Sequence, residues 1–173
     1  MTLDPFEAEK CLADMVFIAD TREQDTDGLR RRLSYLTPYE REFVDHGDYT
    51  AKTLLPDGSW FYLPVCVERK MNCDEIIGNL IRERDRFTAE FERAKEAGTK
   101  MYIVVEGASW LKFYNKVYRS LAHEKSVIAS LCTWMARYNC PILFCDMYIS
   151  GKLIRDILHY EMREALDRMV DYG

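Results

Sequence analysis

The chain has 173 residues, a net charge of -5, 48% hydrophobic and 31% charged residues, a balance that supports one buried core and excludes intrinsic disorder. The negative charge excludes a protein that coats long stretches of nucleic acid by counter-charge, so any nucleic-acid site must be local. Met1 to Lys10 carries acids rather than a basic start and an apolar stretch, and runs such as Met101 to Val105 and Pro141 to Cys145 fall far short of a membrane span of roughly 20 residues. The expectation is a cytoplasmic protein with no membrane anchor, the nucleus being the alternative compartment. Six cysteines (Cys11, Cys66, Cys73, Cys132, Cys140, Cys145) lie at irregular spacings without a Cys-x-x-Cys or Cys/His array, so free, mostly buried thiols are expected rather than a zinc site.

In chain order, Met15 to Ala19 reads as a buried strand that delivers Asp20 at its end, and Asp27 to Leu36 as a helix. From Glu42 to Lys70 the pattern is extended: Phe43 and Val44, then Asp48 to Leu55, a Pro56-Asp57-Gly58-Ser59 turn, then Trp60 to Arg69. This predicts a meander of three strands. Ile76, Ile77, Leu80, Ile81, Phe87, Phe91 and Ala94 fall near helical spacing with a polar face between them, and Gly98 is a stop. Met101 to Val105 and Pro141 to Cys145 read as strands covered on both faces, Leu121 to Tyr138 as a helix between them, and Lys152 to Val170 as the last helix. The order β, α, β meander, α, β, α, β, α predicts a single α/β domain over residues 1–173, a mixed central sheet flanked by helices on both faces.

The chemically informative stretch is Val65-Cys66-Val67-Glu68-Arg69-Lys70-Met71-Asn72-Cys73-Asp74. Strand alternation puts Glu68 and Lys70 on one face and Arg69 on the other. Phosphodiester hydrolysis needs a hard cation held by oxygen ligands, an activated water, and positive charge where the transition state gathers negative charge. Glu68 and Lys70 supply two of those parts. A second carboxylate is required, and Asp48, following Gly47 at a strand start, is well placed; Asp20 is a third candidate. Each has a bland reading beside the chemical one: Glu-x-Lys as an exposed edge pair, Asp74 as a helix cap, Asp20 as a turn residue, Asp48 as a loop acid.

Taken in order, Asp20-x-Arg22-Glu23, Gly47-Asp48-Tyr49 and Val67-Glu68-Arg69-Lys70-x-x-x-Asp74 resemble the XPF-type structure-specific nuclease domain of the PD-(D/E)xK superfamily, with its GD and ERKxxxD signature. The likeness continues through Ile76-Ile77-Gly78-Asn79-Leu80, Arg86-Phe87, Glu90 and Ile103-Val104-Val105-Glu106, and spans roughly residues 15 to 145. The resemblance implies a restriction-endonuclease-like fold and a DNA endonuclease dependent on Mg2+ or Mn2+. Asp48 and Glu68, with the Arg69 carbonyl, would bind the metal, Lys70 would orient or activate the attacking water, and Asp20 would add a metal-side carboxylate. Arg22, Glu23, Arg69 and Asp74 would complete or buttress the site.

Branched DNA, flaps or single/double-strand junctions are the implied substrates. Family members commonly add tandem helix-hairpin-helix motifs or a helicase; the eight glycines show neither a Gly-x-Gly hairpin nor a Gly-x-x-x-x-Gly-Lys phosphate loop, so neither module and no nucleotide cofactor is expected. The alternative function is a catalytically silent DNA-binding or scaffolding subunit, against which the intact Asp48, Glu68, Lys70 and Asp74 argue. A homodimer is expected, with Trp134, Tyr138, Leu153, Ile157 and Tyr160 as candidate contacts. His46, His123 and His159 are too scattered for a zinc or general-base constellation. Arg30-Arg31-Arg32 reads first as a solvated face, and Trp110, Phe113, Tyr114 and Tyr118 as core or interface rather than a base-stacking platform.

Overall fold

The structure, a computed structural model, describes residues 2–170. Its elements are α1 (Pro5–Ala13), β1 (Val16–Asp20), α2 (Asp27–Leu33), β2 (Tyr39–Glu42), β3 (Tyr49–Leu54), β4 (Trp60–Tyr62), β5 (Val65–Lys70), α3 (Cys73–Ile77), a π-helical turn (Gly78–Arg82), α4 (Arg84–Glu96), β6 (Lys100–Glu106), α5 (Trp110–Tyr114), α6 (Glu124–Tyr138), β7 (Ile142–Cys145) and α7 (Ser150–Asp167). Mixed strand pairing with helices between the strands is the α/β class expected. The chain forms two compact units, one running to Cys66 and resuming at Gly151, the other spanning Val67–Ser150. Among the described residues no helix is long and apolar enough to cross a membrane. The cysteines are free thiols, four of them buried.

In the first unit β1 lies between β2 and β3, and β4 extends β3. α1 escaped the sequence reading although its start signal is local. Asp4 accepts from the Glu7 N–H, Glu7 returns a bond to the Asp4 N–H, and Pro5 follows the cap. β3 and β4 form the expected antiparallel hairpin, its turn closed by Gly58 at φ 84°.

Two strands differ from the expected meander. The strand placed at Phe43 and Val44 is instead Tyr39–Glu42, and it runs parallel to β1. Its residues are mostly exposed at the edge of the sheet, so they carry little apolar alternation by which to find them. The long strand expected from Trp60 to Arg69 is broken after Tyr62, because Pro64 has no N–H to donate to a ladder, and β5 begins after it. On α7 the apolar row Ile154, Leu158 and Met162 is buried. Its Gly151 meets α2 so closely that a Cβ there would stand 2.8 Å from the Arg32 Cα.

In the second unit β6 lies between β5 and β7, parallel to β7 in the register Ile103 to Ile142 through Glu106 to Cys145. The single helix expected from Ile76 to Ala94 is three pieces. At Gly78–Arg82 the hydrogen bonding lengthens to five residues, shown by the Glu83 N–H on the Gly78 carbonyl, and Glu83 leaves helical geometry at φ -105°. α4 ends at Gly98, φ 71°, as expected, and α6 ends on Asn139 in the left-handed region, φ 47°. The core is aromatic: Phe87 stacks on Trp134 with centroids 5.5 Å apart, and Phe91 and Tyr138 close around the same ring. Trp134 is 0% exposed, which removes it from the expected dimer contacts; Tyr138 leans into the same cluster and donates its hydroxyl to Glu92. Phe113 is buried core and packs on Phe144, as the half-buried Trp110 does.

Candidate active site

The first unit gathers the Asp20-x-Arg22-Glu23 and Gly47-Asp48-Tyr49 motifs at one end of the sheet. β1 and β3 pair antiparallel with Ala19 opposite Tyr49, and the Asp20 N–H reaches the Asp48 carbonyl at 2.9 Å. Gly47 adopts φ 72°, a left-handed conformation that glycine tolerates without strain. Asp48, half-buried, thus starts β3 beside the end of β1.

Asp20 is 1% exposed and fully engaged. Its Oδ1 accepts from the Arg22 N–H and Nε, and its Oδ2 accepts from the Arg22 guanidinium and the Val44 N–H. Four donors on two oxygens make Asp20 an anchor of the 43–48 loop. Burial alone would raise its carboxyl, but the Arg22 side chain and the two backbone N–H groups outweigh it and hold it below the usual carboxylate value. A lowered folded value contributes stability that is present above the unfolded value and lost as pH falls through the folded one. Asp20→Asn should therefore melt below the parent at neutral pH, and the gap should narrow as pH drops below ~4. Thermal melts across that range check this; a gap independent of pH would assign the loss to shape rather than charge.

Glu23 and Tyr49 meet Arg32. The Arg32 Nε donates to the Tyr49 hydroxyl at 2.8 Å, the hydroxyl donates to Glu23 at 3.1 Å, and Arg32 also reaches the same Glu23 oxygen at 3.2 Å. Burial pushes the Tyr49 phenol well above its ordinary value, keeping it a neutral donor. Arg32 is the residue the sequence reading missed by taking Arg30-Arg31-Arg32 as a solvated face. Its signal was present: with Leu29 and Leu33 it occupies the spacing of the buried stripe of α2.

The second unit carries the Glu-Arg-Lys strand. Alternation along β5 does what was expected of it: Glu68 and Lys70 share one face, buried, with the Lys70 ammonium donating to the Glu68 carboxylate at 2.5 Å. This is not the exposed edge pair of the bland reading. The Lys70 ammonium also sits 5.3 Å over the Phe87 ring. Arg69, on the opposite face, donates to Glu106 at the end of β6 at 2.5 Å. Burial raises the Glu68 carboxyl, and Glu90 and Glu75 push it further in the same direction against the pull of Lys70.

Asp74 is not the helix cap; Asn72 is, accepting from the Glu75 N–H. The Asp74 Oδ1 instead accepts from two backbone N–H groups, Arg119 at 2.9 Å and Ser120 at 2.8 Å. Among the described residues no three His, Cys, Asp or Glu side chains gather tightly enough to hold a metal ion by themselves. The donor set still suits a hard divalent ion, which keeps several waters and needs only one or two carboxylates. Glu68 supplies a buried oxygen donor whose charge, crowded by Glu75 and Glu90, a cation would stabilise.

The mixed α/β fold carries a buried carboxylate and ammonium two apart on one strand, within the Glu-Arg-Lys motif. The family described as the ERCC4 domain matches residues 19–148, and the chain belongs to that family, the XPF-type nucleases. Among solved structures it is similar to XPF from Aeropyrum pernix, at 19% identity and a TM-score of 0.61, over 83% of this chain and 65% of that one. It is also similar to XPF from Aeropyrum pernix in complex with DNA, at 18% identity and a TM-score of 0.58, over 88% and 66%. The chain thus spans just under two thirds of the length of either relative. No curated protein matches it.

Proposed function

We propose that the chain is a divalent-metal-dependent endodeoxyribonuclease acting on branched or flap DNA. The observation that carries the reading is the buried Glu68–Lys70 pair on β5, placed in an ERKxxxD motif within the matched family region. The family resemblance, and no distance between them, assigns Glu68, Asp48 and the Arg69 carbonyl to Mg2+ or Mn2+. When bound, the ion polarises the phosphate and lowers the pKa of a coordinated water. Lys70 brings a desolvated positive charge to the transferring phosphoryl group and orients the attacking water. Arg69 and Glu106 brace the strand from its other face. On the first unit, Arg22, Glu23, Arg32 and Tyr49 hold Asp20 and the start of β3, which sets the backbone direction of Asp48.

The test is purified protein incubated with labelled duplex, fork, flap and single-stranded DNA, with and without magnesium. Metal-stimulated cleavage of the branched substrates is expected. Asp48→Asn, isosteric at a half-buried position, should lose that cleavage by ~100-fold or more with melting unchanged to within ~1 kcal/mol. Undiminished cutting after chelation rejects the metal; absence of cutting on every substrate with DNA still bound selects the silent-subunit alternative. A homodimer is part of the same proposal, with Tyr160, 58% exposed, and the neighbouring Leu153 and Ile157 on α7 as its apolar contacts.

A further inference from the structure

Between Gly107 and His123 the chain carries Lys112, Lys116 and Arg119 and no Asp or Glu, although acids outnumber bases 29 to 24 overall. All three cations are exposed. So are Tyr114, at 61%, and Leu121, at 96%. An acidic protein therefore carries an exposed, locally basic segment with apolar and aromatic side chains set among the charges.

This segment is tied to the motif. Asp74 holds the backbone N–H groups of Arg119 and Ser120 on a single oxygen, Oδ1, while the Arg119 Nε lies 3.4 Å from Oδ2. Asp74 is in the first turn of α3, the helix that follows β5 after two residues. The clamp thus fixes the basic segment with respect to the strand bearing Glu68 and Lys70. At the clamp a groove of about 530 Å³ opens, with Ile81 and Leu121 as apolar lining and Arg82 and Arg119 as its cations.

We infer that Asp74 is a positioning residue and that the segment it clamps is a contact surface for a DNA strand, with Lys116 and Arg119 on phosphates and Tyr114 and Leu121 against bases. The inference rests on the proposed function for the choice of DNA. A polyanion is the partner a basic island in an acidic chain attracts, and base faces are what exposed aromatic and apolar side chains between the charges accommodate. It differs from a role for Asp74 in the chemistry itself, because a carboxylate is not needed for the clamp. Both backbone bonds fall on one oxygen, which an amide can also supply, while the longer Arg119 Nε contact to Oδ2 is what asparagine gives up.

The experiment uses the full chain and a fluorescent single-stranded oligonucleotide in EDTA, where cleavage does not interfere. The salt dependence of binding is read by anisotropy, and cleavage is read separately in magnesium. Lys116→Ala/Arg119→Ala should lower the slope of log K against log salt by about 1.4, two single-strand phosphate contacts. Asp74→Ala should weaken binding and slow cleavage, and Asp74→Asn should restore most of both. An unchanged slope in the double variant overturns the surface. Asp74→Asn cutting as poorly as Asp74→Ala, with binding intact, overturns the positioning role and makes Asp74 a reacting carboxylate. A parent protein that binds no DNA at all overturns the proposed function, and this inference with it.

Discussion

Lys70→Met is expected to cut DNA at least ~100-fold more slowly than the parent, the usual scale for losing one preorganised electrostatic group aimed at the reacting phosphate. The same substitution should also destabilise the fold. Lys70 and Glu68 are 7% and 8% exposed and bonded to each other, so the variant would leave a buried carboxylate with Glu75 and Glu90 as its electrostatic neighbours. Removing one partner of a buried ion pair costs about 3–5 kcal/mol. The two effects separate in Glu68→Gln/Lys70→Met, where no buried charge of the pair remains: melting should recover most of the loss and cleavage should not. Single-turnover rates beside thermal melts of the parent, Lys70→Met and the double variant make the comparison. Lys70→Met cutting at the parent's rate would remove the whole cluster from the chemistry.

The largest purely structural effect is expected at Trp134. Its ring is 0% exposed, stacked on Phe87, edge-on to Phe91 and tilted against Tyr138, with the Arg84 guanidinium 5.9 Å from its centroid. Trp134→Ala empties the middle of that cluster and should cost about 3–5 kcal/mol, since transfer and cavity terms add. For a domain of this size that is roughly 10 °C in melting temperature. Because Phe87 also lies beneath Lys70, cleavage should slow while the mass by light scattering stays that of the parent. A change from dimer to monomer mass with little loss of melting temperature would instead return Trp134 to a subunit interface.

How much of this was legible in advance follows from the range over which each feature is determined. A period of two dictates that Glu68 and Lys70 share a face and Arg69 takes the other, whatever the rest of the chain does. The left-handed backbone at Gly47, the hairpin turn at Gly58 and the stop at Gly98 are likewise local, as are the capping box of α1 and the buried phase of Arg32 on α2, both present and overlooked. What the tertiary structure alone decided is the partner each polar group finds when the chain returns. The Val44 N–H reaches Asp20 across 24 residues, and Arg119 reaches Asp74 across 45. Those two contacts give Asp20 and Asp74 an anchoring role that the motif spacing could not reveal. β2 was misplaced because an exposed edge strand is specified by the neighbour it pairs with and not by its own hydrophobic pattern. Residue spacing reports which face a side chain occupies; only folding determines what stands opposite it.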